Sequence, residues 1–305
     1  MKDIAVILIN YNSIKYSIDC INSILDKTNN EISYELILID NNSKNKEYEQ
    51  LIDYTSGLKN ENVKVIKSNV NLGFGAGNML GVKYSNANYY AFVNNDSVFI
   101  NDCLFLLKKA MDNNPNYGIC GPKAYKENGS ILPTLDYFAS VLKEILGRKV
   151  LHIINPYKYI DRHKDYVNHQ VGQFVSGSFM MIRASDFITV KGFDPNIFLY
   201  YEETDLCLRL LKINKKAYLI PEAKFIHYHG ASTPKNITIK SELKISLLYV
   251  IRKHYGYLNY KILLTYLQIR YFITSFFKPK YWHLFKILFK GAPLTDSMKN
   301  KQEYR

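Results

Sequence analysis

The stretch IAVILINYNS, residues 4–13, indicates how the N-terminal part of the chain folds, because an apolar run ends abruptly in a polar turn. Three later runs have the same form and are each followed by a stretch of helical character: ELILI at 35–39, VKVI at 63–66 and YYAFV at 89–93. Apolar runs without strict alternation are typical of strands buried on both faces, as in a parallel sheet with crossover helices. The pattern therefore predicts an α/β fold built on a doubly wound, mostly parallel sheet.

The spacing of apolar residues and the positions of turn residues predict the other elements of this part of the chain. Helices are predicted at 14–27, 45–58, 76–86, 102–113, 187–190 and 204–213. Further strands are predicted in FVSGSFMMI (174–182), AYLI (217–220) and AKFIHYH (223–229). Residues 125–170 are interrupted by Gly and Pro, and we interpret them as an insertion that shapes a substrate pocket.

The composition changes after Pro234, where Lys, Tyr, Phe and Leu dominate predicted helices. Residues 235–305 hold 14 of the 40 Lys and Arg residues but only 3 of the 27 Asp and Glu residues, so most of the net charge of +13 belongs to this tail. A domain boundary is therefore expected here, with one domain at 1–234 and a basic, aromatic-rich helical segment at 235–305. Such a tail is suited to an anionic membrane surface, with packing on the first domain or a homodimer contact as alternatives.

The overall composition excludes several classes of protein. A chain that is 47% hydrophobic and 22% charged is not intrinsically disordered. The four cysteines are far apart and form no CxxC pair, which excludes a zinc knuckle or a dense disulfide framework and favours a reducing cytoplasm. Six apolar residues at the N-terminus are too few for a signal peptide, and the apolar run at 263–277 is too short to span a membrane. The expected location is cytoplasmic, on the inner face of the cell membrane.

Polar residues follow each of the first four predicted strands. The clusters lie at 10–13, 40–43, 69–78 and 94–97. Asn, Asp and Ser are also ordinary turn and helix-capping residues, so one cluster alone indicates little. Four clusters at the carboxyl ends of parallel strands together predict a ligand site, because ligands bind at that edge of open α/β sheets.

The glycines at 73, 75 and 77 lie in the third of these clusters. Their spacing does not match the dinucleotide-binding fingerprint, and they do not follow the first strand, so binding of NAD is not indicated. Glycines there allow a phosphate or ribose to approach the backbone, or they satisfy a tight turn that needs positive φ.

Two acidic groups and a pair of histidines are candidates for catalysis or metal binding. Asp96 directly follows a strand, and its carboxylate suits Mg²⁺ or Mn²⁺ carrying a diphosphate, although helix capping is an alternative. Glu202, Glu203 and Asp205 crowd three carboxylates into four residues, which raises one pKa toward that of a general base or merely stabilises a helix start. His227 and His229 end the last strand on one face, as a structural pair or as a metal ligand.

These residues lie in motifs that resemble a known family. VILINYNS, LILIDNNS, NVNLGFGAGNMLG, FVNNDS, SGSFMMIR, GFDPNIFLYYEETDLCLRL and IHYHGAS occur in this order over residues 3–234. The chain thereby resembles the family 2 glycosyltransferases of GT-A fold, most closely the rhamnosyltransferase-like branch that builds bacterial O-antigen, capsule and cell-wall polysaccharides. The resemblance implies a GT-A domain with a C-terminal helical extension.

The resemblance also implies roles for individual residues. Tyr11 and Asp40 would hold the base of a nucleoside-diphosphate sugar. Asn71 and Gly73 would lie near its ribose and diphosphate. Asn94, Asn95 and Asp96 fall on the DxD position of the family, where Asn94 replaces the first Asp. The complete donor-binding set is Tyr11, Asn12, Asp40, Asn71, Gly73, Asn94 and Asn95.

The implied reaction is an inverting displacement at the anomeric carbon of the donor sugar. Asp96 and His227 would hold Mn²⁺ or Mg²⁺ against the departing nucleoside diphosphate. Glu203 would be the catalytic base, with Glu202 and Asp205 as alternatives. The acceptor is expected to be a growing polysaccharide or a lipid-linked glycan, and rhamnose is the sugar that this branch implies. A nucleic-acid-binding protein and a non-catalytic membrane-attached scaffold are the rival interpretations; no nucleic-acid partner is expected, because the positive charge is confined to the tail.

Overall fold

A mixed sheet flanked by helices forms the centre of the computed structural model, which describes residues 1–228 and 236–302. The strands are β1 Lys2–Asn10, β2 Tyr34–Asn41, β3 Val63–Ser68, β4 Ala87–Asn94, β5 Ser97–Phe99, β6 Tyr117–Tyr125, β7 Ile131–Leu132, β8 Leu135–Asp136, β9 Gln170–Gly172, β10 Phe174–Val175, β11 Phe179–Arg183 and β12 Lys216–His227. The helices are α1 Ile14–Lys27, α2 Asn45–Gly57, α3 Gly73–Lys83, α4 Cys103–Asn113, α5 Val141–Ile154, α6 Ala184–Thr189, α7 Glu202–Leu211, α8 Ile237–Phe277 and α9 Tyr281–Phe289.

The order of the strands explains why polar residues from distant parts of the sequence meet. The main sheet runs β3-β2-β1-β4-β11-β6-β12-β5, with β7 beside β6 and β9 beside β12. Strands β1 to β4 are mutually parallel, whereas β11 lies antiparallel between β4 and β6. The apolar residues of β1, β2 and β4 are buried against helices on both faces, as their continuous apolar runs predict.

The predictions for two later segments differ from the structure. FVSGSFMMI forms two strands rather than one, because β10 pairs with β8 in a separate two-stranded sheet and β11 belongs to the main sheet. The two strands predicted at 217–220 and 223–229 are one strand, β12, with an irregular register between Ile220 and Lys224. Pro221 lies in this irregularity and has no backbone N–H to donate, so the ladder is interrupted without ending the strand.

The C-terminal helices pack on the sheet domain and on each other. Helix α8 bends at Gly256, where φ is 84°, and α9 folds back against it. A buried apolar cluster joins Ile245, Leu248 and Leu264 of α8 to Leu288 of α9 and to Ala139. Packing is therefore continuous between the two parts, and the domain boundary at residue 234, which lies outside the described residues, stays a prediction.

The glycine at position 73 is needed for the start of α3. Its φ is +74°, and a Cβ atom there would lie 2.0 Å from the carbonyl oxygen of Phe198. The backbone N–H of Phe74 donates to that same oxygen at 3.0 Å, so the two segments cannot separate without losing this hydrogen bond. Helix α3 begins at Gly73, three residues before the predicted start, because the glycine-rich sequence was interpreted as a loop.

We expect Gly73→Ala to lower the free energy of unfolding by more than 2 kcal/mol, because the backbone cost of about 1–2 kcal/mol adds to a collision with Phe198. Gly129→Ala is the matched control, since Gly129 has φ +77° and nothing within 4 Å of an added Cβ. The unfolding free energy of the control should therefore fall only by the backbone cost. Urea unfolding of both variants measures the difference, and equal losses would contradict the proposed collision.

Candidate active site

A cavity of about 480 Å³ lies beside the end of β12 and the start of α7. Of the residues predicted for the site, Glu203 and His227 line it directly. Ser176 and Ser178, in the turn between β10 and β11, form another part of the wall. The cavity therefore combines the predicted base with one of the predicted metal ligands.

Asp96 and His227 are brought together although they lie 131 residues apart in the sequence. The pairing of β5 with β12 sets His227 opposite Ser97, and the backbone N–H of Tyr228 donates to the carbonyl of Asp96 at 3.0 Å. His227 Nε2 then lies 3.1 Å from Asp96 Oδ1, and only 2% of Asp96 is exposed. His229, the second predicted histidine, lies outside the described residues.

A carboxylate and an imidazole at this distance fit a divalent cation that a substrate brings with it. Within 1–228 and 236–302, no group of three or more His, Cys, Asp or Glu residues is arranged to enclose a metal. Mg²⁺ is commonly held by one or two protein ligands, with substrate phosphates and water completing its shell. The pair Asp96 and His227 matches this kind of site rather than an all-protein cage.

Asp40 joins the loops that follow β1 and β2. Its Oδ1 accepts from the side-chain amide of Asn10 at 3.2 Å, and its Oδ2 accepts from the backbone N–H of Ser43 at 3.1 Å. Asn12 continues this network, because its backbone N–H donates to Ser43 Oγ at 3.0 Å. Asp40 is completely buried, whereas the ring of Tyr11 is 43% exposed and available to a ligand.

Asn41 holds the loop before α3 and was not singled out in the sequence. Its side-chain amide donates to Asn71 Oδ1 at 3.0 Å and to the carbonyl of Gly73 at 3.1 Å, and its Oδ1 accepts from the N–H of Leu72 at 2.8 Å. Asn71 Oδ1 also accepts from the N–H of Gly73 at 2.9 Å. The loop predicted to meet the ribose and diphosphate is therefore fixed by a buried amide at the end of the neighbouring strand.

Asn95 fixes the turn that carries Asp96. Its side-chain amide donates to Ser13 Oγ at 2.7 Å and to Ser17 Oγ at 2.9 Å, which joins the turn to α1. The backbone N–H of Asn94 donates to the carbonyl of Ser178 at 2.8 Å. These contacts give Asn95 a positioning role beside the predicted metal ligand. Ser13 belongs to the predicted polar cluster at 10–13, whereas Ser17 in α1 is a second residue that sequence reasoning missed.

The start of α7 is strained in a way that directs Glu203 into the cavity. Tyr200 and Tyr201 both have left-handed backbone angles, with φ 72° and 71°. Bulky residues in this region cost about 1–3 kcal/mol each and persist where the surroundings impose them. Here the strain turns the chain so that Glu203 lines the cavity and lies against Gly177, where an added Cβ would be 3.3 Å from Glu203 Oε1.

Glu202 and Glu203 have different surroundings. Burial raises the pKa of Glu203, while hydrogen bonds from backbone N–H groups and the charge of Lys143 oppose this shift. Glu202 is 3% exposed, its Oε1 has no hydrogen-bond partner within the described residues, and burial raises its pKa well above the ordinary value. Burial and the missing hydrogen-bond partner therefore favour the neutral form of Glu202, whereas Glu203 is a cavity carboxyl whose raised pKa suits a general base.

Asp205 does not fit the role of an alternative base. Its carboxylate is completely buried, does not line the cavity, and contacts Arg209 at 2.6 Å, Lys253 at 2.5 Å and His254 at 2.7 Å. These cations, with the hydrogen bond from His254, hold the pKa of Asp205 well below its ordinary value despite burial. Asp205 instead joins α7 to α8, and the sequence did not indicate this contact because Lys253 and His254 lie 48 and 49 residues further on.

Comparisons with known proteins agree with this architecture. The model of the Glycosyl transferase family 2 matches residues 5–190. Rhamnosyltransferase WbbL of Escherichia coli strain K12 is 26% identical over 252 residues, which cover 77% of this chain and 89% of that protein. The N-acetylglucosaminyl-diphospho-decaprenol L-rhamnosyltransferase of Mycobacterium tuberculosis is 27% identical over 154 residues, 47% of this chain and 48% of the relative.

Solved structures show the same fold at low sequence identity. GalNAc-T7, crystallised with UDP, GalNAc and Mn²⁺, superposes with a TM-score of 0.65 at 12% identity, over 95% of this chain and 56% of that one. TarS of S. aureus superposes with a TM-score of 0.55 at 14% identity, over 95% of this chain and 49% of its own. The chain has a GT-A fold with a C-terminal helical region. It belongs to glycosyltransferase family 2 and is a glycosyl transfer enzyme related to rhamnosyltransferases.

We expect Asp205→Asn to lower the free energy of unfolding at pH 7 by about 3 kcal/mol, because Arg209 loses its carboxylate partner and Lys253 keeps only Asp194. The folded-state pKa of Asp205 is lowered, so its contribution is complete above the unfolded value of 3.8 and is lost as pH falls below it. Urea unfolding should show a constant difference between the two proteins from pH 7 to about pH 4, and this difference should only begin to shrink by pH 3, because the folded-state pKa lies well below the unfolded one. Asp26→Asn, at an exposed carboxylate, is the control. Equal losses of unfolding free energy in the two variants at pH 7 would contradict a stabilising contact between Asp205 and α8.

Proposed function

We propose that this enzyme is an inverting, metal-dependent glycosyltransferase that moves a sugar, rhamnose in the first instance, from a nucleoside-diphosphate donor to a growing surface polysaccharide or lipid-linked glycan. One observation carries the proposal: Glu203 and His227, which contacts Asp96, line the same cavity. A base and a site for the leaving group are what a displacement at the anomeric carbon needs. The similarity to rhamnosyltransferases supports the choice of sugar.

The donor would lie along the carboxyl ends of β1, β2 and β4. The exposed ring of Tyr11 is available to stack on a base, and the loops held by Asp40 and Asn12 form the floor beneath it. The loop at Asn71 and Gly73 would face the ribose and diphosphate. Asp96 and His227 would hold Mn²⁺ or Mg²⁺, which neutralises the charge of the departing diphosphate; the GT-A neighbour with UDP and Mn²⁺ supports this assignment.

Glu203 would take the proton of the acceptor hydroxyl as its oxygen attacks the anomeric carbon. The bond between that carbon and the diphosphate oxygen breaks at the same time, and the nucleoside diphosphate departs on the opposite side. A single displacement of this kind inverts the configuration and needs no covalent enzyme intermediate. The raised pKa of Glu203 makes the carboxylate a stronger base than an exposed Glu.

The acceptor is best described as a lipid-linked glycan. The name of the mycobacterial relative specifies a sugar on diphospho-decaprenol, and that relative is matched by about half of this chain. We extend this chemistry, a sugar carried on a lipid diphosphate, to the present enzyme. It also accounts for a tail that is rich in aromatic and basic residues.

Glu203→Gln should reduce turnover by about 10²–10⁴-fold, because the amide keeps the size of the side chain but cannot accept a proton. Donor affinity should stay within about twofold, which is the pattern of a group that acts in the transition state. Turnover and donor binding are measured on the same preparations with the nucleotide sugar that binds.

Glu202→Gln is the matched control for this variant. Glu202 is buried and is not among the residues that line the cavity, so an amide of equal size should change turnover far less than the neighbouring substitution does. If Glu202→Gln abolishes turnover and Glu203→Gln does not, the base is misassigned. If neither variant affects turnover, neither residue is the base; only an unchanged chain that turns over no donor would favour the non-catalytic scaffold.

An aromatic ridge at the end of the C-terminal helices is the proposed membrane contact. It consists of Phe272, Phe276, Phe277, Trp282, Phe285 and Phe289. Phe276, Phe277 and Phe289 are 63%, 80% and 74% exposed, and exposed lysines at 278, 280, 286 and 290 surround them. Tyr271, next to Phe272 in the sequence, is instead buried and stacks on Tyr281.

The ridge suits the surface of a bilayer. Across the described residues, the helices include none long and apolar enough to cross a membrane. Basic residues near an anionic surface contribute roughly 1 kcal/mol each, and aromatic side chains enter the interface. The first half of α8 is buried against the sheet domain. Packing on that domain and contact with a membrane, the two roles expected for the tail, would therefore involve different parts of it.

The full chain should sediment with anionic liposomes at low salt and be released as salt rises. Phe276→Ser combined with Phe277→Ser should weaken binding by at least tenfold, because two exposed apolar groups are lost from the ridge. Ile188→Ser, at a side chain that is 66% exposed on α6, is the control and should bind as the unchanged chain does. The membrane contact is contradicted if the full chain does not bind anionic liposomes. If the full chain forms a dimer that the double variant does not form, the ridge is a protein contact.

A further inference from the structure

We propose that four cations of the cavity lining bind the diphosphate of the lipid-linked acceptor. This proposal rests on the proposed function and names the part of the cavity that holds the head group of the acceptor. This cationic wall consists of Lys143, Arg148, Arg162 and Lys244, all of which line the cavity. Three of them come from the insertion between β6 and β9, and the fourth comes from α8.

Lys143 is the centre of the cationic wall. The residue is 7% exposed, and its Nζ donates to the backbone carbonyl of Tyr137 at 2.5 Å. Within the described residues, the charges of Asp136 and Glu144 act on Lys143, but neither carboxylate forms an ion pair with it. Burial lowers the pKa of Lys143 to about 8, so it is still largely cationic at neutral pH, and a bound anion would stabilise that charge.

The other cations of the wall exceed their counter-ions. Arg148 and Arg162 both contact Asp136, with Arg148 Nη2 at 2.7 Å and Arg162 Nε at 3.0 Å. Lys244 pairs with Glu144 at 2.9 Å. The four cations face Asp136, Glu144 and the proposed base Glu203, which leaves an excess of one positive charge in the cavity lining. A diphosphate diester carries two negative charges, and guanidinium groups present planar pairs of donors that suit phosphate oxygens.

Helix α5, which kinks at Gly147, also exposes apolar side chains to solvent. Lys143, Glu144 and Arg148 line the cavity, whereas Leu142, Ile145 and Leu146 before the kink and Val150, Ile153 and Ile154 after it are exposed. Exposed apolar side chains on the helix that lines a cationic cavity are complementary to an amphiphile, with a charged head and an apolar chain. A prenyl diphosphate has both parts.

The position of the cationic wall favours the acceptor over the donor. The donor's diphosphate is assigned to Asp96 and His227 and to the loop at Gly73, which come from the first half of the sheet and the end of β12. Glu203, which has to reach the acceptor hydroxyl, opens to the same cavity as Lys143, and the charge of Lys143 acts on its carboxyl. The wall would therefore hold the acceptor's diphosphate beside the base.

The test uses the full chain and geranyl diphosphate, a water-soluble prenyl diphosphate, titrated in excess EDTA so that no metal contributes. The unchanged chain should bind it, and Lys143→Met should weaken binding at least tenfold while circular dichroism stays unchanged. Arg162→Gln should weaken binding in the same direction and serves as the second variant if Lys143→Met fails to fold. Lys149→Met, at an exposed lysine of the same helix, should bind as the unchanged chain does.

Two further titrations separate the sources of a diphosphate. Inorganic pyrophosphate should bind more weakly than geranyl diphosphate, and equal affinities would overturn the assignment to a lipid. Nucleoside diphosphates with Mn²⁺ should bind to Lys143→Met as to the unchanged chain and should not displace geranyl diphosphate; mutual displacement would assign the cations to the donor and overturn the proposal. If geranyl diphosphate binds as expected and no nucleoside diphosphate binds, the cationic wall stands and the proposed function fails.

Discussion

The pairing of β5 with β12 is the interaction on which the candidate site depends. It brings His227 Nε2 to 3.1 Å from Asp96 Oδ1 and closes the edge of the sheet. Each side is fixed separately, Asp96 by the contacts of Asn95 with two serines and His227 by the end of a twelve-residue strand. The cavity, its base and the cationic wall are arranged around this fixed pair.

The fold was largely predictable because its signals are local. Continuous apolar runs predicted β1, β2 and β4, and helical spacing predicted α1 from Ile14 to Lys27. The predictions were wrong where a long-range contact decided the outcome. Gly73 begins a helix because it packs against Phe198, and β12 continues past Pro221 because its neighbours in the sheet hold it in place.

The site was predictable in its residue types but not in its contacts. Asp96, His227 and Glu203 lie where polar residues at strand and helix ends predicted a site. Asp205 looked equivalent to Glu203 in the sequence. The contacts that Lys253 and His254 of α8 make with Asp205 distinguish it as a structural carboxylate. The cations of the insertion were not singled out, since no sequence period connects Lys143 with Arg162 and Lys244.

The C-terminal helices connect three features of the proposed function. Helix α8 contributes Lys244 to the cationic wall and holds Asp205, two residues after the proposed base, through Lys253 and His254. Its far end carries the aromatic ridge. The proposed membrane contact, the proposed acceptor site and the anchoring of Asp205 therefore all involve one helix.

The measurement that tests the central claim most directly is equilibrium binding of dTDP-, UDP- and GDP-sugars with Mn²⁺ and with EDTA, for the unchanged chain and for Asp96→Asn. The account predicts that at least one donor binds, that EDTA weakens this binding strongly, and that Asp96→Asn loses the dependence on Mn²⁺. Donor binding and sugar transfer that are equal in Mn²⁺ and in EDTA, and unchanged in Asp96→Asn, would contradict the assignment of Asp96 and His227 to the leaving group.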